Sequence, residues 1–321
     1  MHVEDFTGRG ASVKGLCEGF LAGAPVHAAL LVGPAGVGKR TLVDTLAQSL
    51  FCTGPEPKPC GTCPGCRRFL AGSHPDVHRI EEKKRIGVEE IRELITALHA
   101  AAYEGGYRVA ILECAGNMTP QAQNSLLKTL EEPPSKTVFF LTAISGSQLL
   151  PTIRSRCQVV QVPPLPRAQV EQALMQKGLE ASRASELAGM AQGSIGEALK
   201  LDADTGFWTL RNKIFSAMQG VRGPGDVLMA LNALKDDKAD AQRVCDIIEG
   251  ALRNAMVACL EGLQPQDTAW PMLTRMDARS LATMMEKVRL MRQMLASNVS
   301  WQAVLERFLL EYSEDIHRWQ S

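Results

Sequence analysis

The sequence predicts an α/β fold, a parallel β-sheet with helices on both faces, followed by regions built from helices alone. Three observations carry this. From Ala28 to Val162 short apolar runs alternate with segments of helical periodicity, the pattern of strands joined by helical crossovers. Gly33 to Thr41, reading Gly-Pro-Ala-Gly-Val-Gly-Lys-Arg-Thr, fits G-x-x-x-x-G-K-[ST] and lies between an apolar run and a periodic helix, as a phosphate-binding loop requires. Beyond Pro163-Pro164 no strand pattern remains.

Composition narrows the class further. The 321 residues, 45% of them hydrophobic, exceed one typical domain and can bury more than one core. Lys plus Arg and Asp plus Glu are equal at 35 each, so no global charge points to nucleic acid, although a neutral total can hide a local basic face. The polar start of the chain and the lack of any run near the roughly 18 apolar residues of a membrane span make a cytoplasmic protein without membrane contact the expectation.

Taken in order, Ala11–Leu21 has helical spacing (Val13, Leu16, Phe20, Leu21) and Ala28–Val32 is a buried strand. In the loop that follows, Gly33, Gly36 and Gly38 let backbone N–H groups turn inward around a triphosphate, Lys39 reaches the outer phosphates and Thr41 offers a hydroxyl to Mg²⁺; Arg40 lies between these two. The helix after it (Leu42, Leu46, Leu50) adds its positive end. Such a loop can hold ATP or ADP weakly.

Cys52-x7-Cys60-x2-Cys63-x2-Cys66 comes next, interleaved with Gly61, Pro64 and Gly65, which permit tight turns. Four thiolates at this spacing suit tetrahedral Zn²⁺ with no open position, hence a structural metal closing a knob too short to own a core. A redox pair at Cys60/Cys63 or Cys63/Cys66 would leave the other two cysteines unexplained. The remaining cysteines (Cys17, Cys114, Cys157, Cys245, Cys259) are scattered among apolar neighbours, as buried thiols are. His74 and His78 read as loop or surface residues beside a thiol set that is already complete.

Val77–Ile80 is strand-like, residues 88–101 form an amphipathic helix, and Gly105-Gly106 turns the chain into an apolar strand at 107–112. An ATPase of this layout needs Asp-Glu at the end of that strand, one acid for Mg²⁺ and one to polarise water. This chain has Glu113 and Cys114, and a thiol with a reference pKa of about 8.5 is no carboxylate base. A helix at 120–132 capped by Thr119, a strand at 138–142, and a strand at 158–162 complete the sheet region. Short helices are expected at 167–179, 185–191 and 195–201, and longer ones after Thr205, clearest at 244–260 and 301–310, with breaks at 220–225 and 262–267. The Met-rich stretch 272–294 reads as core packing.

The order of phosphate loop, four-cysteine knob, Leu126-Leu127-Lys128-Thr129-Leu130-Glu131-Glu132-Pro133-Pro134, then Ser155-Arg156-Cys157 and two helical regions resembles the bacterial clamp-loader subunits of DNA polymerase III, with the delta prime group nearest. The resemblance implies an AAA+ domain (1–163), a helical lid (164–205) and a helical collar (206–321) that joins a five-subunit ring with gamma/tau and delta subunits. It implies a part in loading the sliding clamp on primed DNA, within a DNA-directed DNA polymerase holoenzyme. It also implies that Arg156, in its Ser155-Arg156-Cys157 setting, projects into a neighbour's ATP site as a trans arginine finger. Departures from the motor subunits are Glu113-Cys114 for Asp-Glu, Ala143 and Ile144 near the sensor Thr, and Gly193-Ser194-Ile195-Gly196 without the lid arginine. Together they imply a degenerate ATP site.

Two readings from other classes stand beside this one. A working gamma/tau-type ATPase would need Glu113 to replace Asp and some other group to orient water. A zinc-dependent DNA-binding module is disfavoured because the knob holds few basic residues (Lys58, Arg67, Arg68) and almost no aromatic side chains for stacking on bases.

Overall fold

The computed structural model describes residues 1–100, 102–103, 106–260, 270, 272–273 and 276–320, without the side chains of 316–320. The chain divides into two compact units, residues 1–166 with 193–197, and residues 167–192 with 198–321. The expected breaks at Gly105 and 262–267 lie outside the described residues.

The first unit runs α1 (Ala11–Leu21), β1 (Ala28–Val32), α2 (Lys39–Leu50), α3 (Pro64–Leu70), β2 (Val77–Ile80), α4 (Val88–His99), β3 (Arg108–Leu112), α5 (Pro120–Glu131), β4 (Thr137–Ala143), α6 (Pro151–Arg154) and β5 (Gln158–Gln161). All five strands are parallel, in the order β2-β3-β4-β1-β5. Because strand side chains alternate, the central strands β1, β3 and β4 each feed two cores. Ala28, Leu30, Ala110, Leu112, Phe139 and Leu141 meet Ile91, Leu94 and Leu98 of α4 and Leu126 and Leu130 of α5. Ala29, Leu31, Val109, Ile111, Val138 and Phe140 meet Leu16 and Phe20 of α1 and Leu42 and Leu46 of α2.

Differences from expectation are local. The helix expected at 88–101 stops at His99, where Ala100 turns extended, and the strand expected from 107 starts at Arg108. Two short helices escaped the periodicity reading. In α3, seven residues long, Pro64 occupies the first turn and the Cys63 sulfur accepts from the Cys66 N–H; α6 likewise starts on Pro151. Both are too short for a 3.6-residue repeat to register.

The second unit is helical: α7 (Arg167–Gln176), α8 (Ala181–Met190), α9 (Ile195–Ala203), whose first residues count with the first unit, α10 (Thr205–Gly220), α11 (Val227–Leu234), α12 (Ala241–Leu260), α13 (Ala278–Ala296) and α14 (Trp301–Gln320). Helix α8 begins four residues before the expected 185, with the Ala184 N–H on the Glu180 carbonyl. One apolar cluster joins α10 to α14 around the buried Trp270, whose Nε1 donates to the Tyr312 hydroxyl at 3.0 Å. Met276, Met284 and Met291 are buried in it, and Met285 and Met294 pack against it, so these methionines are core. No helix among the described residues is long and apolar enough to cross a membrane.

Candidate functional site

The phosphate loop forms where β1 ends between β4 and β5. The Gly33 N–H donates to the Ala143 carbonyl at 3.2 Å, and a Cβ at Gly33 would lie 2.2 Å from the Val162 carbonyl oxygen, so no larger residue fits there. Gly36 (φ +71°) and Gly38 (φ +92°) take left-handed conformations that turn the loop into α2. Lys39 Nζ donates to the carbonyls of Gly33 at 2.6 Å and Pro34 at 2.7 Å, folding back over its own loop. Burial pushes the Lys39 pKa down, opposed by the nearby Cys114 and Glu82 side chains. Gly193 to Glu197 close on the loop from the other side. The Gly196 N–H donates to the Gly36 carbonyl at 3.2 Å, and a Cβ at Gly36 would come within 2.2 Å of Ser194 Oγ. Gly196 can approach this closely because it has no side chain.

Glu113 and Cys114 sit together at the end of β3, beside the loop, as the sequence places them. No sequence motif specifies their surroundings. Glu113 is buried, and both its oxygens face guanidinium groups, Arg79 Nη1 at 2.5 Å and Arg40 Nη1 at 3.2 Å. Arg79, from β2, also pairs with Asp44 of α2, and Asp44 lies 3.9 Å from Arg40. Neither Arg79 nor Asp44 belongs to a sequence motif. The signal available was Arg79 in a short strand destined to neighbour β3. Cys114 is in the left-handed region (φ 52°), its N–H held by Thr142 Oγ1 at 3.0 Å. Burial, a hydrogen bond with Glu82 and the Glu82 charge push its thiol up to about 11 against the pull of Lys39, so a neutral thiol faces the loop. Ala143 ends β4, while Ile144 follows it and is exposed.

At the knob the four candidate ligands converge: the sulfurs of Cys52, Cys60, Cys63 and Cys66 all lie within 4.8 Å of one another. Zn–S bonds of about 2.3 Å in a tetrahedron put sulfurs about 3.8 Å apart, so small side-chain adjustments close the cage around a zinc ion. Gly61 (φ +75°) makes the turn between ligands, and a Cβ on Gly54 would lie 2.4 Å from the Cys60 sulfur. Backbone N–H groups already point at sulfur: Cys60 N–H at Cys52 Sγ, 3.3 Å, and Cys63 N–H at Cys60 Sγ, 3.4 Å. Such donors stabilise thiolates, and the N–H groups of Thr62 and Cys63 hold Cys60 below the ordinary thiol value. His74 and His78 stand outside this cluster. His74 is buried, not at the surface, its ring 3.9 Å from that of Phe51 and its Nδ1 accepting from the Asp76 N–H.

Arg156 follows α6. Its Nε donates to Glu131 Oε1 at 2.7 Å and Nη2 bonds the same oxygen, while Nη1 reaches the Thr152 carbonyl at 2.9 Å and Ser155 Oγ at 3.3 Å. His27 Nε2 contacts the Arg156 carbonyl at 3.2 Å. Cys157, buried, anchors the turn, and burial raises its pKa to about 12.

The sheet order and the phosphate loop at the end of β1 define an AAA+ P-loop domain, here with Glu113 and Cys114 at the end of β3 and a four-cysteine knob. A family model described as DNA polymerase III, delta subunit, matches residues 10–166. The chain is 34% identical over 233 residues to DNA polymerase III subunit delta' of Escherichia coli, covering 71% of this chain and 69% of the relative. It therefore belongs to the DNA polymerase III delta' family. The Pseudomonas aeruginosa subunit delta' is 45% identical over 146 residues, 44% of each chain, so that match spans less than half of the relative's length. Subunit tau of Escherichia coli is 31% identical over 257 residues, 77% of this chain and 40% of tau. Among solved structures, a gamma subunit-related protein of Thermotoga maritima is similar at 19% identity with a TM-score of 0.38, covering 90% of this chain and 94% of that one.

Proposed function

We propose that this chain is a non-hydrolysing clamp-loader subunit that completes the ATP site of a neighbouring motor subunit. The observation that carries the reading is the contrast between its two sites: its own lacks a carboxylate base, while Ser155-Arg156-Cys157 is intact with a partly exposed guanidinium. An arginine inserted beside a transferring phosphoryl group contributes roughly 10³ to 10⁵ in rate, so a subunit with a disarmed site still controls hydrolysis. In this reading gamma/tau and delta subunits are the partners, the sliding clamp and primed DNA are reached through the complex, and the protein works in the cytoplasm. Residues 164–205 act as lid and 206–321 as collar. Zinc through the four cysteines is structural, and when bound it supplies the cross-link that holds the knob. The loop residues Gly33, Gly36, Gly38, Lys39, Arg40 and Thr41 bind ATP or ADP weakly, without turnover.

The test is Arg156→Ala and Arg156→Lys in a reconstituted complex, assayed for DNA-stimulated ATP hydrolysis and clamp loading, with gel filtration confirming assembly. Turnover at the neighbouring ATP site should fall by at least about 10³ for alanine, seen as loss of that site's share of the complex's hydrolysis, and lysine should not restore it, because an ammonium lacks the planar fork. Unchanged hydrolysis in an assembled mutant refutes the reading. The relation to tau keeps a motor subunit as the second reading; steady ATP turnover by the isolated chain, abolished by Lys39→Ala, would establish it.

A further inference from the structure

A phosphate loop ordinarily works with Mg²⁺, and the residues here do not fit that ion. Two ligands would be expected from this chain, the Thr41 hydroxyl and the acid at the end of β3. Thr41 is exposed on the first turn of α2. Glu113, however, has both oxygens committed, one to Arg79 at 2.5 Å and one to Arg40 at 3.2 Å, and its side chain is only 7% exposed. Asp44, the other acid beside the loop, is committed to Arg79 and lies 3.9 Å from Arg40. A divalent cation entering here would meet a carboxylate already held by cations and stand within a few ångströms of two guanidinium charges, that of Arg79 in a partly buried setting where such repulsion is poorly screened.

We propose that Arg40 and Arg79 take the electrostatic place of the metal, so that the loop's ligand is a metal-free nucleoside polyphosphate. The two groups differ in what they do. Arg79, mostly buried between Glu113 and Asp44, is a fixed charge. Arg40 adjoins Lys39 in the loop and is 61% exposed, so it can leave Glu113 Oε2 and present two N–H groups to phosphate oxygens, the geometry in which guanidinium excels. Once Arg40 turns away, Arg79 stays between Glu113 and Asp44, so neither acid is left without a cation, and Mg²⁺ would have to displace Arg40 from the phosphates to use the Glu113 oxygen it vacated. The free polyanion thus meets Lys39, Arg40 and the N-terminal end of α2 with no unpaired buried acid behind them, whereas Mg²⁺ bound to the same phosphates removes charge that these groups need. Binding also requires Lys39 to leave the Gly33 and Pro34 carbonyls, which keeps the affinity low.

The inference rests on the reading that the loop still takes nucleotide, and one experiment separates the two. ATP is titrated into the isolated full-length chain by calorimetry, in EDTA and in excess Mg²⁺, with inorganic triphosphate as a second probe. The expected result is a Kd in EDTA equal to or lower than that in Mg²⁺, and Arg40→Ala, which frees one Glu113 oxygen, should move the ratio toward Mg²⁺ by about tenfold. Wild-type binding that tightens tenfold or more with Mg²⁺ overturns the inference and leaves the nucleotide reading standing. Absence of binding under both conditions overturns both. The wild-type comparison needs no variant to fold.

Discussion

Replacing Arg79 with alanine removes the more buried of the two cations that face Glu113, and the structure sets the size of the effect. Breaking a buried ion pair from one side costs about 3–5 kcal/mol, because the remaining charge is left uncompensated. Here the guanidinium is 20% exposed and Glu113 7%, so water enters the vacated space, and Arg40 remains at 3.2 Å. Arg40 is mostly exposed and offsets only about 0–1 kcal/mol. Asp44, a third exposed, loses a partner at small cost. The expected destabilisation is therefore about 2–3 kcal/mol, which for a unit of this size lowers its melting temperature by roughly 4–12 °C. Calorimetric melting would be measured for Arg79→Ala, Glu113→Gln and the double variant. Glu113→Gln removes the charge that Arg79 compensates, so the double variant should fall short of the summed single effects by about 1–2 kcal/mol. Additive effects, or an Arg79→Ala shift of less than about one degree, would show that the four-residue network carries no energy and would remove the physical basis for excluding Mg²⁺.

Other outcomes follow from the same geometry. Protein prepared without chelator should contain one zinc ion per chain, and Cys63→Ser should lose it and expose the knob to proteolysis while the sheet core melts unchanged; zinc-free native protein would contradict the cage. Single-turnover assays on the isolated chain should detect no ATP hydrolysis above the Lys39→Ala background, since the thiol of Cys114, raised to about 11, cannot accept a proton from water at neutral pH. Asp277 caps α13, and the Ser280 hydroxyl and N–H hold its carboxyl below the ordinary value. A depressed carboxyl contributes stability that is present above about pH 3.9 and lost as pH falls through the folded value. Hydrogen exchange in the first turn of α13 should accelerate on acidification through that range in wild type, and stay flat with pH in Asp277→Asn after correction for intrinsic rates.

What the sequence determined is what depends on spacing along the chain. Three apolar runs and two shorter strand-like segments, a glycine-rich turn between a strand and a helix, and four closely spaced cysteines are local patterns, and the sheet, the loop and the sulfur cluster lie where those patterns put them. Element ends moved by a few residues, because caps and fraying are set by single backbone groups. Which cations hold the acid beside the phosphate loop was decided only in three dimensions. Arg79 and Glu113 are 34 residues apart, and they meet because β2 lies beside β3, with Arg79 in register with Ile111. No spacing rule announces a pair formed by strand order. Likewise Glu131 and Arg156, 25 residues apart, meet only after α5 and α6 have packed. Side-chain charge is visible in a sequence, but which charge neutralises which depends on the fold, since Coulomb energy follows distance through space and the dielectric between the groups.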